Sequence, residues 1–598
     1  MRILLALVLA TLLLLADAFP PDPVFCDASG DCFITNSYGT WNTRQVCKVS
    51  QIVYPSNEEE LLEAVSYGAK NKLKMKAVTK FSHSIPPLAC PGDGDGGDGG
   101  GHSGAGGLLA ISTANYSRGI AVDVTSKAVE VDGGAQLQAV LDEAARHGLA
   151  LAASPYWNGL SVAGILSTGS HGSSWRGKGG ALHDHVLKLR MVVPSGKNSS
   201  SSSSHNEVAK IVTLTPGDGD LFYAAIVSLG TMGVISKVTL ELEPMFKRSI
   251  TNVRTSDAGL EDKIVAFGNE HEFGDVTWYP SKREAVYRID DRVPANTPGN
   301  GINEFVGFQP TLALAIVAQR ALEETLEAQR SSNGKCIASR AQVSLLESLG
   351  YGLKNTHGLR LFTGYPVVGF QHKIQTAGGC QESKSRLLIC GWDSAKHALF
   401  YLESGITIPA QSIAAFIADV KHLRDSHPDA GALCGIDLYT GILLRYVAAS
   451  RALLGKPFDG VDVGFTYYRS RNGSMPRLNM DVWQEVEQMA ISKYGGVPHW
   501  GKNTPVTFSN AGTGRSPRLE RFVKEMRKMD PSGLFSTRWS DRILGIKAME
   551  EQKNPGCALE GLCICSRDEH CAPEKSYHCR PGRVFTAARV CRYESGGS

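Results

Sequence analysis

Between residues 51 and 85 the chain passes from a β-rich run through a helical run to a second β-rich run, and no other feature constrains its fold as much. QIVYP is followed by SNEEELLEAVSYGAKNK, whose serine and acidic first turn open a helix, and then by LKMKAV, which runs into Lys80-Phe-Ser-His-Ser84. This order predicts a β-α-β unit. The pattern returns from 120 to 152, where IAVDV and AVEVDGG alternate as strands and AQLQAVLDEAARHG sets Leu137, Val140, Leu141 and Ala144 on one helical face before Gly148 ends it. Between the two units, PGDGDGGDGGGHSGAGG at 91–107 has no periodic apolar face and reads as a surface insertion. A second polar run, SGKNSSSSSSHNE, joins MVVPSG to AKIVTLTP as an elaborated hairpin.

With 598 residues the chain is too long for one ordinary core. Residues 221–243 join a short apolar helix to a β-branched strand, and after 245 the texture changes to mixed strands and helices with longer loops. DVTWYP at 275–280 and the helix SIAAFIADVKHLRDSH belong to that second part. A last helix opens at Ser516-Pro517, presents Leu519, Phe522, Val523 and Met526, and stops at Asp530-Pro-Ser-Gly533. We therefore expect an α+β protein with a first domain over 48–245, a second over 246–545 and a separate cysteine-rich tail over 556–592.

The first residues, MRILLALVLATLLLLADAF, combine Arg2, an apolar run from Ile3 to Leu15 and an Ala16-Asp-Ala18 cleavage site, which reads as a signal peptide over 1–18. A membrane anchor is the alternative, but the run is shorter than the ~20 residues a spanning helix needs. No later stretch is long and apolar enough to span, so no stable membrane span is expected in the mature chain. The secretory pathway is the expected route, with the extracellular space as destination and the vacuole or a membrane-associated position as alternatives. Fourteen cysteines in such a compartment predict disulfides. Cys557, Cys563, Cys565, Cys571, Cys579 and Cys591 lack paired CxxC knuckles, so the tail is read as disulfide-stapled rather than zinc-binding, with its pairing open and no metal expected. Asn115, Asn198 and Asn472 open glycosylation sequons. The 62 basic and 59 acidic residues leave a charge of +3, which gives no basic surface for nucleic acid.

Two segments point to chemistry. Lys80-Phe-Ser-His83-Ser84 follows a strand directly, where a ligand can approach the strand end; a histidine there is by itself an ordinary structural residue. Ser161-Val-Ala-Gly-Ile-Leu-Ser-Thr-Gly-Ser-His-Gly172 combines Gly164, Gly169 and Gly172 with hydroxylic residues, so its backbone N–H groups and hydroxyls are candidates for a diphosphate nest. It is neither the G-x-G-x-x-G nor the Walker pattern, so neither NAD nor ATP binding is supported.

Taken in order, SHS at 82–84 with the following LAC, HGLAL at 147–151, SVAGILSTGSHG at 161–172, LGTMGVISKVTL at 229–240, PHWGK at 498–502 and DPSGLF at 530–535 resemble the FAD-dependent flavoproteins of the vanillyl-alcohol-oxidase or PCMH type, specifically the sugar-1,4-lactone oxidases. The signal peptide, HGSSW at 171–175 and the cysteine-rich tail are most similar to the plant L-gulono-1,4-lactone oxidases.

That resemblance implies a PCMH-type FAD-binding domain, a substrate or cap domain closing over the flavin, and a tail. It implies FAD held covalently through His83. No cysteine lies between Ser154 and Gly172, which argues against a second, cysteinyl bond. It places Thr79, Phe81, Ser82, Ser84, Val162, Ala163, Gly164, Thr168, Ser170 and His171 along the diphosphate, and Gly233 to Ile235 near the adenine. Lys502 matches the lysine of the family's HWxK motif, close to flavin N1 and O2, where it stabilises developing negative charge. His499 is kept, whereas Asn503 and Thr504 replace the residues that often follow. Arg445 matches the arginine of a Glu-x-Arg pair, but Leu443 stands at the glutamate, so another acid such as Asp437 is expected to replace it or the substrate preference differs. Pro155 falls at the position that gates oxygen. The implied reaction oxidises the C2 hydroxyl of L-gulono-1,4-lactone; the 2-keto product enolises to L-ascorbate and O2 becomes hydrogen peroxide. The alternatives are a dehydrogenase or oxidase of another aldonolactone (galactono- or arabinono-) or sugar, and a non-enzymatic secreted binding protein of the same fold.

Overall fold

The structure is a computed structural model that describes residues 24–28, 32–34, 47–79, 86–91, 107–195, 208–357, 359–380, 383, 385, 387–391, 401–436, 441–468, 470, 472–509, 516–547 and 554–595. The signal segment, Phe81, Ser82, His83 and Ser84, most of the glycine-rich insertion, Asn198 with its serine run, and Asp437 lie outside the described residues.

The opening pattern forms a parallel sheet in which Leu108–Ser112 lies between Gln51–Val53 and Lys74–Val78. The crossover helix Glu58–Lys70 starts where Asn57 Oδ1 accepts the Glu60 N–H at 2.8 Å, a cap of ~1 kcal/mol, and it buries Leu61, Ala64 and Val65. Next comes a five-stranded antiparallel sheet in the order Ala209–Leu214, Val186–Pro194, Val234–Glu241, Ala128–Asp132, Ile120–Asp123. Helix Leu137–Arg146 packs on it through Leu137, Val140, Leu141 and Ala144, as the 3.6-residue period requires.

The second half is built on an eight-stranded antiparallel sheet whose central strands run Glu284–Val293, Asp275–Tyr279, Ile442–Val447, Gly460–Tyr468, Tyr401–Pro409. Alternation sorts every strand. Val276 and Trp278, Ile442, Leu444 and Tyr446, and Val461, Val463 and Tyr467 join helices Leu260–Glu270 and Ile413–Ser426 in one core. The intervening residues point the other way, toward the first domain.

Two expectations need correction. The segment 505–544 was placed with the second domain, yet Phe508, Leu519, Phe522, Met526, Trp539 and Ile543 pack into the core of the first. The DPSGLF turn fastens it there, since Leu534 O accepts the Met75 N–H at 2.8 Å and Gly533 O accepts Lys74 Nζ at 2.5 Å. The amphipathic face of helix Pro517–Met529 was legible, but not which core it covers. The tail is not separate either: Glu485, on helix Met480–Gln488, accepts the backbone N–H groups of Arg583, Val584 and Phe585 at 2.7–2.8 Å, and Gln484 accepts that of Cys591. All fourteen cysteines are paired, as Cys26–Cys32, Cys47–Cys90, Cys336–Cys434, Cys380–Cys390, Cys557–Cys563, Cys565–Cys579 and Cys571–Cys591.

Candidate functional site

A cavity of about 900 Å³ separates the open face of the eight-stranded sheet from the first domain. Thr79, Pro155, Ala163, Gly164, Thr168, Ser170, His171, Gly233, Ile235, Arg445, His499 and Lys502, all singled out from the sequence, line it.

On the first-domain wall the anticipated backbone nest does not form. Residues 162–167 fold as a helix, so the Gly164 N–H donates to the cap Ser161 Oγ at 3.3 Å and the Gly169 N–H to Leu166 O at 2.9 Å; the Gly172 N–H donates to Gly180 O at 2.7 Å. Among the described residues of this wall the Thr168 hydroxyl donates to Gly164 O at 2.9 Å and lies 3.1 Å from the Ser170 hydroxyl. Gly172 and Gly233 serve close packing instead: a Cβ at Gly172 would stand 2.6 Å from Ser154 O, and one at Gly233, whose φ is 133°, 2.5 Å from Val192 O. Val162 is also corrected, because its side chain is buried in the first core and its N–H donates to Ala135 O at 2.9 Å.

Lys76, missed in the sequence, is buried on the same wall. Its ammonium donates to the carbonyls of Leu229 and Gly230 at 3.2 and 3.0 Å. Burial pushes its pKa down to about 7, opposed by the charge of Asp530. A buried amine on this wall, whose charged form burial disfavours, would be favoured as a cation by an anionic diphosphate, so the residues present fit FAD. The available signal was a lysine at an inward position of an apolar strand.

The sheet wall carries the charge. Arg445 lies between Asp275 and Asp462 in the strand register, and its guanidinium meets Asp462 Oδ2 at 2.6 Å and His171 O at 3.3 Å. Burial alone would raise the Asp462 carboxyl, but Arg445 and His171 hold it well below the usual carboxylate range. Tyr156 donates to Asp275 Oδ2 at 2.5 Å and stands between the guanidinium groups of Arg288 and Arg445, 5.6 and 5.7 Å from its ring.

Leu443 faces the cavity beside Gly464 and Thr277 and offers no carboxylate. Glu403, two strands away, supplies one: its Oε1 lies 2.9 Å from Lys502 Nζ inside the cavity. Lys502 reaches it by crossing Gly405, where a Cβ would stand 3.1 Å from Lys502 Cδ. Asp437, the replacement acid the sequence suggests as an example, lies outside the described residues.

His499 is buried 5.4 Å from the His171 ring. Burial, with the neighbouring His171 and Lys502, holds its pKa well below the ordinary value, so it is neutral near pH 7. Its Nδ1 accepts the Gly501 N–H at 3.0 Å, which leaves the ring proton on Nε2 and makes His499 a donor toward its surroundings. Among the described residues Arg445 Nε, Arg288 Nη2 and Thr466 Oγ1 are buried without a hydrogen-bond partner beside the cavity. Such donors require an acceptor, and a polyhydroxylated ligand provides several.

Comparison with known proteins agrees with this division of labour. Residues 49–200 match the family model of an FAD binding domain, 396–543 that of D-arabinono-1,4-lactone oxidase, and 554–593 that of the C-terminal domain of L-gulonolactone oxidase 2-like proteins. The chain is 44% identical over 577 residues to L-gulonolactone oxidase 3 of Arabidopsis thaliana, covering 96% of this chain and 94% of that one, and 43% identical over 581 residues to L-gulonolactone oxidase 5 of the same plant, with the same coverage. In fold alone it is similar to the cholesterol oxidase of Brevibacterium sterolicum, at a TM-score of 0.62 and 14% identity over 88% of this chain and 99% of that one.

Proposed function

The chain belongs to the L-gulonolactone oxidase family, and from that premise we propose that it oxidises the C2 hydroxyl of L-gulono-1,4-lactone with O2, yielding the 2-keto lactone that enolises to L-ascorbate. The observation that carries this reading is the meeting of two ion pairs, Arg445–Asp462 and Lys502–Glu403, on a cavity whose opposite wall is the FAD-binding domain. FAD, when bound, takes up the two electrons of the oxidation and delivers them to O2 as hydrogen peroxide.

The protein supplies position and charge. Arg445, always cationic and clamped by Asp462, donates to the lactone oxygens from a fixed place. Glu403 accepts the C2 hydroxyl proton, and Lys502, 2.9 Å from it, stabilises negative charge as it develops. His499 donates from Nε2. Val78, Thr79, Thr168, Ser170 and Lys76 would hold FAD on its own side, with His83 as the covalent attachment and Pro155 admitting oxygen.

The decisive measurement is hydrogen peroxide formation by the purified protein in air with L-gulono-1,4-lactone, against L-galactono- and D-arabinono-1,4-lactone. Reduction of an artificial acceptor without peroxide would make it a dehydrogenase. A colourless, flavin-free protein would make it a binding module of the same fold.

We also propose that the protein enters the secretory pathway, is glycosylated and acts outside the cell. Seven disulfides suit an oxidising compartment, and Asn115 and Asn472 are exposed. Among the described residues no helix is long and apolar enough to cross a membrane.

A further inference from the structure

The cavity does not end at its polar residues. From Arg445 and Asp275 its wall continues over Thr277, Tyr279 and Val286, where Tyr279 and Val286 pack on Val343 of helix Ser332–Ser348. Beyond Tyr351 it opens into a lobe between that helix and Ala313–Ala328, floored by Phe305 and Phe308, whose rings meet edge to face at 5.2 Å. Ala338 and Ala341, three residues apart on one helical face, keep the space between the two helices open; Gln319, Gln342 and Glu323, the last paired with Lys335 at 2.6 Å, are polar members of its lining. At its mouth Leu322 and Leu345 line the lobe while remaining 48% and 55% exposed. A six-carbon lactone has no group that would cover these side chains. Its hydroxyls are matched instead at the polar end, by Arg445, Lys502, Glu403 and the unpaired Thr466 and Arg288 donors.

We propose that this lobe is a subsite for an apolar substituent, alkyl or aryl, carried by the lactone on a hydroxyl remote from C2, so that the preferred substrate is an acylated or otherwise apolar-substituted aldonolactone. The proposal rests on the lactone reading of the polar end. The polar head is oriented by the ion pairs, and the tail runs along Tyr279 and Tyr351 to displace water from Leu322 and Leu345. Burial of apolar area supplies the preference.

The test compares L-gulono-1,4-lactone with its 6-O-hexanoyl ester on the holoenzyme. The ester should show a KM at least tenfold lower with kcat within twofold; tenfold corresponds to 1.4 kcal/mol, less than two fully buried methylenes at ~0.8 kcal/mol each. Ala341→Phe, which fills the lobe, and Leu345→Gln, a polar change at an exposed position that spares folding, should each remove the advantage while leaving the parent lactone's kinetics in place. An ester no better than the parent, or a loss shared equally by both substrates in both variants, overturns the proposal and leaves the lactone reading standing. If neither lactone is turned over, calorimetric titration of the holoenzyme with n-octyl β-D-glucoside below its micelle concentration decides. Binding with a negative heat-capacity change that Leu345→Gln weakens at least fivefold upholds the lobe while the lactone reading fails, and binding indifferent to both variants, or none, overturns the lobe as well.

Discussion

Glu403 and Lys502 form an ion pair of 2.9 Å across Gly405, on a sheet face where Leu443 withholds the carboxylate that the Glu-x-Arg pattern would have supplied. On the proposed reading Glu403 acts as the acid of the site, two strands from Leu443 and tied to the lysine.

Glu403→Gln should therefore lower kcat by about 100-fold, the range for loss of a general base, while the flavin absorbance per protein stays unchanged. Peroxide assays give the rate. A variant with full activity would assign the proton to another group.

Asp462→Asn leaves the Arg445 guanidinium buried beside a neutral partner, a change of about 3–5 kcal/mol when one member of a buried pair is lost. Thermal midpoints measure it. The sign with pH follows from a depressed carboxyl: the stability that Asp462 contributes is complete above its unfolded pKa near 4 and is lost as pH falls toward its lower folded value. The gap between wild type and variant should narrow on acidification from pH 6 to pH 3.

Glu487 behaves oppositely. Buried against Ser404 Oγ at 2.8 Å and Trp483 Nε1 at 2.7 Å, its carboxyl is pushed up by burial to about 7. Because the folded pKa is raised, the group stabilises below its unfolded pKa near 4.5, and that contribution is lost as pH rises through about 7. Glu487→Gln should raise the thermal midpoint at pH 8 relative to wild type and not at pH 5. An equal shift at both pH values would refute the titration.

The carboxylate of Glu485 holds three backbone amides of the tail. Glu485→Ala should make the segment around residues 583–585 exchange its amide hydrogens faster and become cleavable by trypsin at Arg583 while the flavin site stays intact. Limited proteolysis followed by mass spectrometry reads this directly, and resistance equal to wild type would show the disulfides to be sufficient.

The covalent link is tested by acid precipitation. Flavin fluorescence should remain with the peptide carrying His83 and be lost from it in His83→Ala. Flavin released wholly to the supernatant from the unaltered protein would remove the bond without removing FAD.

Much of the scaffold was legible because its signals are local. The stripe Leu137, Val140, Leu141, Ala144 and the Ser516-Pro517 start each predicted a helix that the structure contains. The glycine run at 161–172 was read as donors for an anion, and here local reasoning failed: a helix capped by Ser161 consumes those amides, so the glycines matter for clearance. Lys76 and Glu403 escaped notice for a related reason. Each is one polar residue in a strand of ordinary appearance, and its meaning depends on what stands opposite.

By itself, the sequence determined the period-two and period-3.6 patterning, the capacity for disulfides, and the order of motifs from His83 to Lys502 that ties the chain to its family. Only the tertiary structure decided which strand faces share the cavity, that Arg445 meets Asp462, that Glu403 meets Lys502 across Gly405, and that helix Pro517–Met529 returns to the first core. The physical reason is range. Propensity and caps act within a few residues, whereas strand register and ion pairing bring together groups that the chain holds far apart, and a shift of one residue in register would turn every one of these side chains to the other face.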